Sequence, residues 1–149
     1  MSLLEKISAD IMAAMKAREM EKLEALRGIK SALLLANTSA GGKEVTAEDE
    51  LKILQKLVKQ RKESAEIFKS QNRMDLYEVE INQANVIETY LPEQISEEEI
   101  KKIIQDIIAQ TGAGGIKDMG KVMGMATKQL AGKADNSTVS RIVKDLLSA

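Results

Sequence analysis

IETYLPEQISEEEIKKIIQDIIAQTGAGG, residues Ile87–Gly115, is the stretch on which the fold turns. From Ser96 onward, isoleucines stand at 100, 103, 104, 107 and 108, the three-and-four spacing that gathers them on one face of a helix. Ser96 followed three residues later by Glu99 has the spacing of a capping box, in which each side chain reaches the other's backbone N–H. The GAGG run, Gly112–Gly115, stops this helix. Pro92 is the only proline. The residue before a proline is pushed out of the α region, so the helix arriving through Ile87 ends by Leu91.

The same period extends in both directions. Leu4, Ile7, Ile11 and Met15 form a first stripe and Leu23, Leu26, Ile29 and Leu33 a second, with a turn or bend in the charged stretch Arg18–Lys22. NTSAGGK, Asn37–Lys43, collects loop formers, and Thr46 with Asp49 repeats the capping-box spacing. A third helix carries Leu51, Leu54, Val58, Arg61, Ala65 and Phe68 on its stripe. After a break at Ser70–Arg73, a fourth runs through Leu76, Val79, Ala84, Ile87 and Leu91. Beyond the GAGG stop, Asp118 is placed to cap a sixth helix with Met119, Val122, Met123, Ala126 and Leu130. Gly132 ends that one, and Asp135 or Ser137 is placed to cap a seventh with Val139, Ile142, Val143, Leu146 and Leu147. No segment alternates with period two. The expected fold is all-α, in two unlike helical subdomains: a four-helix unit over residues 1–91 and a three-helix unit over 92–149.

Composition narrows the chemistry. The 149 residues include no Cys and no His, which removes disulfides, thiolate nucleophiles, the usual general base and the commonest transition-metal ligand. No catalytic residue, metal site or cofactor is expected. Aromatic residues are 2% of the chain, Phe68, Tyr77 and Tyr90, too few to stack splayed bases. No apolar run approaches the ~20 residues that span a bilayer and no signal-peptide pattern opens the chain, so a cytosolic protein with no membrane contact is expected.

The net charge of −1 predicts no partner, but its distribution does. Leu51–Arg73 holds seven basic residues against two acidic, and Gly115 to the end holds six against three. Asp75–Glu99, between them, has eight acids and no Lys or Arg. Such blocks are either ion-paired, solvated helix faces or a polyanion surface beside an acidic seam. Arg61 falls on an apolar stripe, where it either lays its stem on the core and pairs with an acid of the fourth helix or contacts a ligand with Lys59 and Lys62.

Gly115–Val122 (GIKDMGKV) satisfies the spacing of a phosphate-binding P-loop up to Lys121. It fails at Val122, where a hydroxyl should hold Mg²⁺, and a helix precedes it where a strand should. Gly120 and Gly124 instead share one helix face, each at a cost of about 1 kcal/mol relative to Ala. Either a neighbouring helix packs closely there, or the bare face admits a phosphate backbone beside Lys117 and Lys121.

Four stretches then resemble a known family in the right order: LVKQRKESAEIF (Leu57–Phe68), IETYLPEQISEEEI (Ile87–Ile100), GGIKDMGKVMG (Gly114–Gly124) and GKADNSTVSRIVKDLL (Gly132–Leu147). Together they look like the GatB/YqeY family, and the two subdomains would form one such module. The resemblance implies a small cytosolic bacterial protein similar to the C-terminal tail of the tRNA-dependent amidotransferase B subunit. That tail is helical and touches tRNA, while catalysis lies elsewhere in the enzyme. It points to a tRNA-binding accessory module, with an aminoacyl-tRNA synthetase or another translation protein as a further partner. A protein–protein adaptor and a component of a carbon–nitrogen ligase are the alternatives. The candidate RNA contacts are Lys117, Lys121, Lys128, Lys133, Arg141 and Lys144, with Lys59, Arg61 and Lys62 as second choice. Recognition by shape and phosphate charge is expected.

Overall fold

The computed structural model describes residues 2–39, 41 and 44–148. Every regular element among them is helical: α1 Leu3–Ala17, α2 Met20–Ser39, α3 Ala47–Ser70, α4 Met74–Glu88, α5 Glu97–Thr111, a 3₁₀ turn Ile116–Asp118, α6 Met119–Gln129 and α7 Asn136–Ser148. The chain divides into two compact units, Met1–Leu91 and Pro92–Ala149.

In unit 1, α1 and α2 form one antiparallel pair, α3 and α4 a second, and α2 packs against α4. Ile7, Leu23, Leu26, Ile29, Leu33, Leu54, Val58, Ala84 and Ile87 are buried together there. The caps follow from local chemistry. Thr46 Oγ1 accepts from Asp49 N–H at 3.1 Å while Asp49 Oδ2 accepts from Thr46 N–H at 3.0 Å, and Ser2 and Glu5 repeat the exchange for α1. The Thr46 backbone N–H, ahead of its hydroxyl, holds the Asp49 carboxyl below its ordinary range. This box is therefore complete above that range and loosens as pH falls through the lowered value.

Of the turn or bend expected within Arg18–Lys22, the structure has a turn, over Arg18 and Glu19 between α1 and α2. Arg18 caps α1 in the left-handed region at φ 57°, and its N–H reaches Met15 O. The loop expected over Asn37–Lys43 begins later, because α2 continues through Asn37, Thr38 and Ser39. The Thr38 hydroxyl helps by bonding back to Leu35 O at 2.9 Å. Ala40, Gly42 and Lys43 lie outside the described residues. The fourth helix also ends sooner than its stripe suggests. After Glu88 the N–H groups of Thr89, Tyr90 and Leu91 bond three residues back, to Val86, Ile87 and Glu88, tightening the chain ahead of Pro92.

In unit 2, α5, α6 and α7 pack pairwise around Ile100, Ile104, Ile107, Val122, Ala126, Leu130, Val139, Val143 and Leu147. Ser96 Oγ accepts from Glu99 N–H at 3.2 Å, and Gly112 ends α5 at φ 68°, where a side chain would be strained.

One polar side chain is out of place in the core of unit 1. Gln83 is 1% exposed, and its Oε1 has no hydrogen-bond partner among the described residues. A buried acceptor left unpaired costs about 1–3 kcal/mol. The near-isosteric Gln83→Met exchange is therefore expected to raise stability by about 1 kcal/mol or more in chemical denaturation, and a loss of stability would show that the amide is satisfied.

Candidate nucleic-acid interface

Asp118 was expected to cap α6, and it does not. Its side chain makes no bond to the helix N-terminus; Oδ2 instead accepts from Gly114 N–H at 2.9 Å, and its own N–H bonds Gly115 O at 3.0 Å. Asp118 thus closes the GAGG loop onto the 3₁₀ turn, which holds Lys117 just ahead of α6. At α7, Asp135 takes the capping role: Oδ2 accepts the Ser137 hydroxyl at 2.6 Å, and Oδ1 lies 3.5 Å from Ser137 N.

The geometry of α6 is simple. Val122, Ala126 and Leu130 recur every four residues and are buried. Lys121, Gly124 and Lys128 fall on the opposite side and are exposed, with Lys117 and Gly120 continuing the stripe at its N-terminal end. Lys121 and Lys128 are seven residues apart, roughly 10 Å along the axis. Nothing packs on the two glycines: a Cβ at either position would meet no atom within 4 Å. Close packing of a neighbouring helix, one of the two explanations for this pair, is therefore absent among the described residues. Each glycine weakens the helix by about 1 kcal/mol, and no contact among the described residues compensates.

The cations divide by what holds them. Among the described residues, Lys117, Lys121, Lys128, Lys133 and Lys144 are exposed and form no ion pair, whereas Arg141 Nη2 is bound to Glu97 Oε1 at 2.6 Å. Lys133 sits in the turn before α7, where its carbonyl accepts from Ile95 N–H.

In α3 the outcome is different. Arg61 Nη1 lies 3.3 Å from Glu80 Oε2, the two side chains 30% and 16% exposed, and Lys62 Nζ is 2.7 Å from Glu88 Oε1. The guanidinium rests over Gly28 of α2, where an added Cβ would meet Nη2 at 3.8 Å. Two of the six basic residues of α3 are thus paired with acids of α4, and Lys59 is left exposed without an ion pair among the described residues. The acid partner for Arg61 was legible in the sequence; the separation of the nine cations into held and free groups was not.

A groove of about 420 Å³ between the start of α5 and α7 is lined by Glu97, Glu98, Lys101, Arg141, Ile142, Asp145 and Leu146. It gathers carboxylates around a lysine, the pattern that an enzymatic site would need. It is open to solvent, however, and Glu97 is already engaged by Arg141. No group of three potential metal ligands exists among the described residues, and no helix there is long and apolar enough to cross a membrane.

Comparison with known proteins decides the family. The family model described as YqeY-like protein matches residues 4–147. The chain belongs to the YqeY-like family. Among curated relatives, "Altered inheritance of mitochondria protein 41, mitochondrial" of Pyrenophora tritici-repentis is 28% identical over 150 residues, covering 98% of this chain and 81% of that protein. The protein of the same name from Clavispora lusitaniae is 34% identical over 103 residues, 68% of this chain and 59% of its own length. A glutamyl-tRNA(Gln) amidotransferase subunit of Methanobrevibacter smithii shares 46% identity over 56 residues, 34% of this chain and 9% of that protein. The YqeY-like chain is thus related to a segment of an amidotransferase subunit. The expectation of a bacterial cytosolic protein meets fungal relatives that are named mitochondrial.

The empty space above α6 has a measurable consequence. Gly120→Ala and Gly124→Ala should each raise helix stability by about 1 kcal/mol, read as a higher Tm by circular dichroism. A fall in Tm would mean that something in the protein does occupy that face.

Proposed function

We propose that this YqeY-like protein is a tRNA-binding accessory module that holds its RNA through phosphate contacts and performs no chemistry of its own. The observation that carries this is the exposed stripe running from the 3₁₀ turn along α6: Lys117, Lys121 and Lys128, without ion pairs among the described residues, alternate with two glycines that present only backbone. Unpaired ammonium groups at this spacing attract phosphates, and the missing side chains allow a sugar–phosphate backbone to come close. Unit 2 contains no aromatic residue, so base stacking has no platform there and recognition goes through shape and charge. The shared segment with a protein named as a glutamyl-tRNA(Gln) amidotransferase subunit supports tRNA as the polyanion. Lys133 and Lys144 are candidates to extend the contact. Arg141 is a weaker one, since it must first leave Glu97.

With a net charge of −1, affinity for RNA alone is expected to be micromolar or weaker at physiological salt. A second binding partner, such as an aminoacyl-tRNA synthetase or another translation protein, would supply the rest through avidity. A cytosolic place of work is part of this proposal. One observation favours a second reading as a protein adaptor: Met12, Met15 and Met20 are half or more exposed around the α1–α2 turn, and flexible thioethers suit adaptable apolar contacts.

The test is binding of labelled tRNA between about 50 and 300 mM salt, comparing wild type with a variant carrying Lys117→Glu, Lys121→Glu and Lys128→Glu. Three to four neutralised phosphates give a log–log slope of about −3, and the variant should bind at least roughly tenfold more weakly. Absence of wild-type binding at low salt, or an unchanged affinity in the variant, would contradict the proposal.

A further inference from the structure

Residues 9–17 of α1 read ADIMAAMKA, and the solvent side of the helix there is almost free of polar groups. Ala9, Met12, Ala13, Met15, Lys16 and Ala17 are exposed, and Lys16 alone among them is polar. A surface helix ordinarily turns charged and polar residues outward. Met12 is 58% and Met15 50% exposed, and Met20, which opens α2 across the turn, is 67% exposed. The side of α1 that meets the core is a different one, where Ile7 and Ala14 are buried and Ile11 packs beside them.

At its turn end this face adjoins a groove of about 360 Å³ between α4 and the start of α2. Val86 and Met20 give the groove apolar walls. The polar groups at its edge satisfy one another: Lys22 Nζ lies 3.6 Å from Glu19 Oε2, and Asn82 Nδ2 donates to Glu21 Oε2 at 3.1 Å. An apolar side chain can therefore enter without stripping water from an unpaired charge.

The charges around the face differ in what they have left to bind. Glu5 accepts from Ser2 N–H at 3.1 Å, Asp10 accepts the Tyr90 hydroxyl, and Glu19 and Glu21 are engaged at the groove. Lys6 stands 5.4 Å from the centre of the Tyr90 ring. Lys16 and Arg18 are exposed and form no ion pair among the described residues. Every carboxylate between residues 5 and 22 thus has a partner inside the chain, and the two side chains left open to an outside partner are cations.

We propose that this face of α1, with the groove beside Met20, docks an acidic amphipathic helix of a partner protein. Flexible thioethers adapt to the apolar residues of a second helix laid along α1, one of which fills the groove. From Ala9 to Ala17 the face is roughly 12 Å long, about two turns of such a helix. Carboxylates on that helix meet Lys16 and Arg18, which sets its direction. A lipid surface is the poorer match, because it asks for Trp, Phe or Leu and a lysine-rich rim. The proposal rests on the adaptor reading and gives its occupant a chemistry. It shares no residue with the α6 stripe, so it stands or falls apart from RNA binding.

The test is amide and methionine-methyl shift mapping of the full, isotope-labelled chain, without RNA, against two synthetic helical peptides. One carries leucines at three-and-four spacing flanked by glutamates; the other has every glutamate replaced by lysine. The glutamate peptide should move the amides of residues 9–22 and the methyls of Met12, Met15 and Met20, and bind at least about tenfold more tightly than the lysine peptide. Lys16→Glu should narrow that preference, and Lys16→Glu with Arg18→Asp should reverse it; aspartate tolerates the left-handed conformation at position 18. Met12→Ser with Met20→Ser should weaken both peptides together. An unmoved Leu26 amide shows unit 1 intact in each variant, and if the double charge variant fails that check, the single one decides. The proposal is overturned if the two peptides bind equally, or if neither moves these amides at about 1 mM. It is also overturned if the protein alone shifts them with its own concentration, or if tRNA or phosphatidylserine vesicles move them and the glutamate peptide does not.

Discussion

Pro92 has no backbone N–H to give, and its ring disfavours a helical residue ahead of it. The chain yields before it arrives: α4 ends at Glu88, and three tight turns carry the backbone to Leu91. Because the helix stops there, the apolar residues downstream cannot extend the α1–α4 core. They close on themselves as α5, α6 and α7 around Ile104, Ile107, Val122 and Val143. A core this small asks only one side of each helix. In α6 that side is Val122, Ala126 and Leu130, and within unit 2 the opposite side, Lys121, Gly124 and Lys128, is left exposed.

That exposed side is where sequence and stability part company. A helix exposed to water with no packing duty is best served by alanine or charged residues, yet α6 carries Gly120 and Gly124 there with empty space above them. Among the described residues nothing offsets that cost, and the proposed RNA contact is the reading that accounts for it. The contrast with α3 gives this weight. There Arg61 and Lys62 are held by Glu80 and Glu88, whereas Lys117, Lys121 and Lys128 form no ion pair among the described residues.

Most of the fold could be read beforehand because the signals are local. The isoleucine stripe of α5, the Thr46–Asp49 box, the break near Ser70–Arg73 and the stop at Pro92 each depend on residues a few positions apart. The misreadings came where a local signal had a competing partner. Asn37–Ser39 has loop composition, but a helix already running through Leu33 carries these residues along, with Thr38 bonding back to Leu35. Asp118 stands at a capping position and is drawn instead to Gly114 N–H. The candidate site was legible only as a set of cations on the C-terminal helices and the basic third helix. Which of them are free depends on where the acids of α4 and α5 come to lie, and no spacing rule contains that. Whether the Gly120–Gly124 face is covered is likewise a tertiary fact.

The chain belongs to the YqeY-like family and shares a segment with an amidotransferase subunit, and phosphate binding on the exposed face of α6 is our proposal. The most direct measurement is amide chemical-shift mapping of the ¹⁵N-labelled chain as tRNA is added at low salt. If α6 is the phosphate-binding face, the amides of Gly120 and Gly124 and their neighbours from Lys117 to Lys128 should move or broaden first and return on adding salt, while those of Arg61 and Lys62 stay still. Perturbations centred on α3 or on the Met12–Met20 turn, with α6 unmoved, would contradict the account.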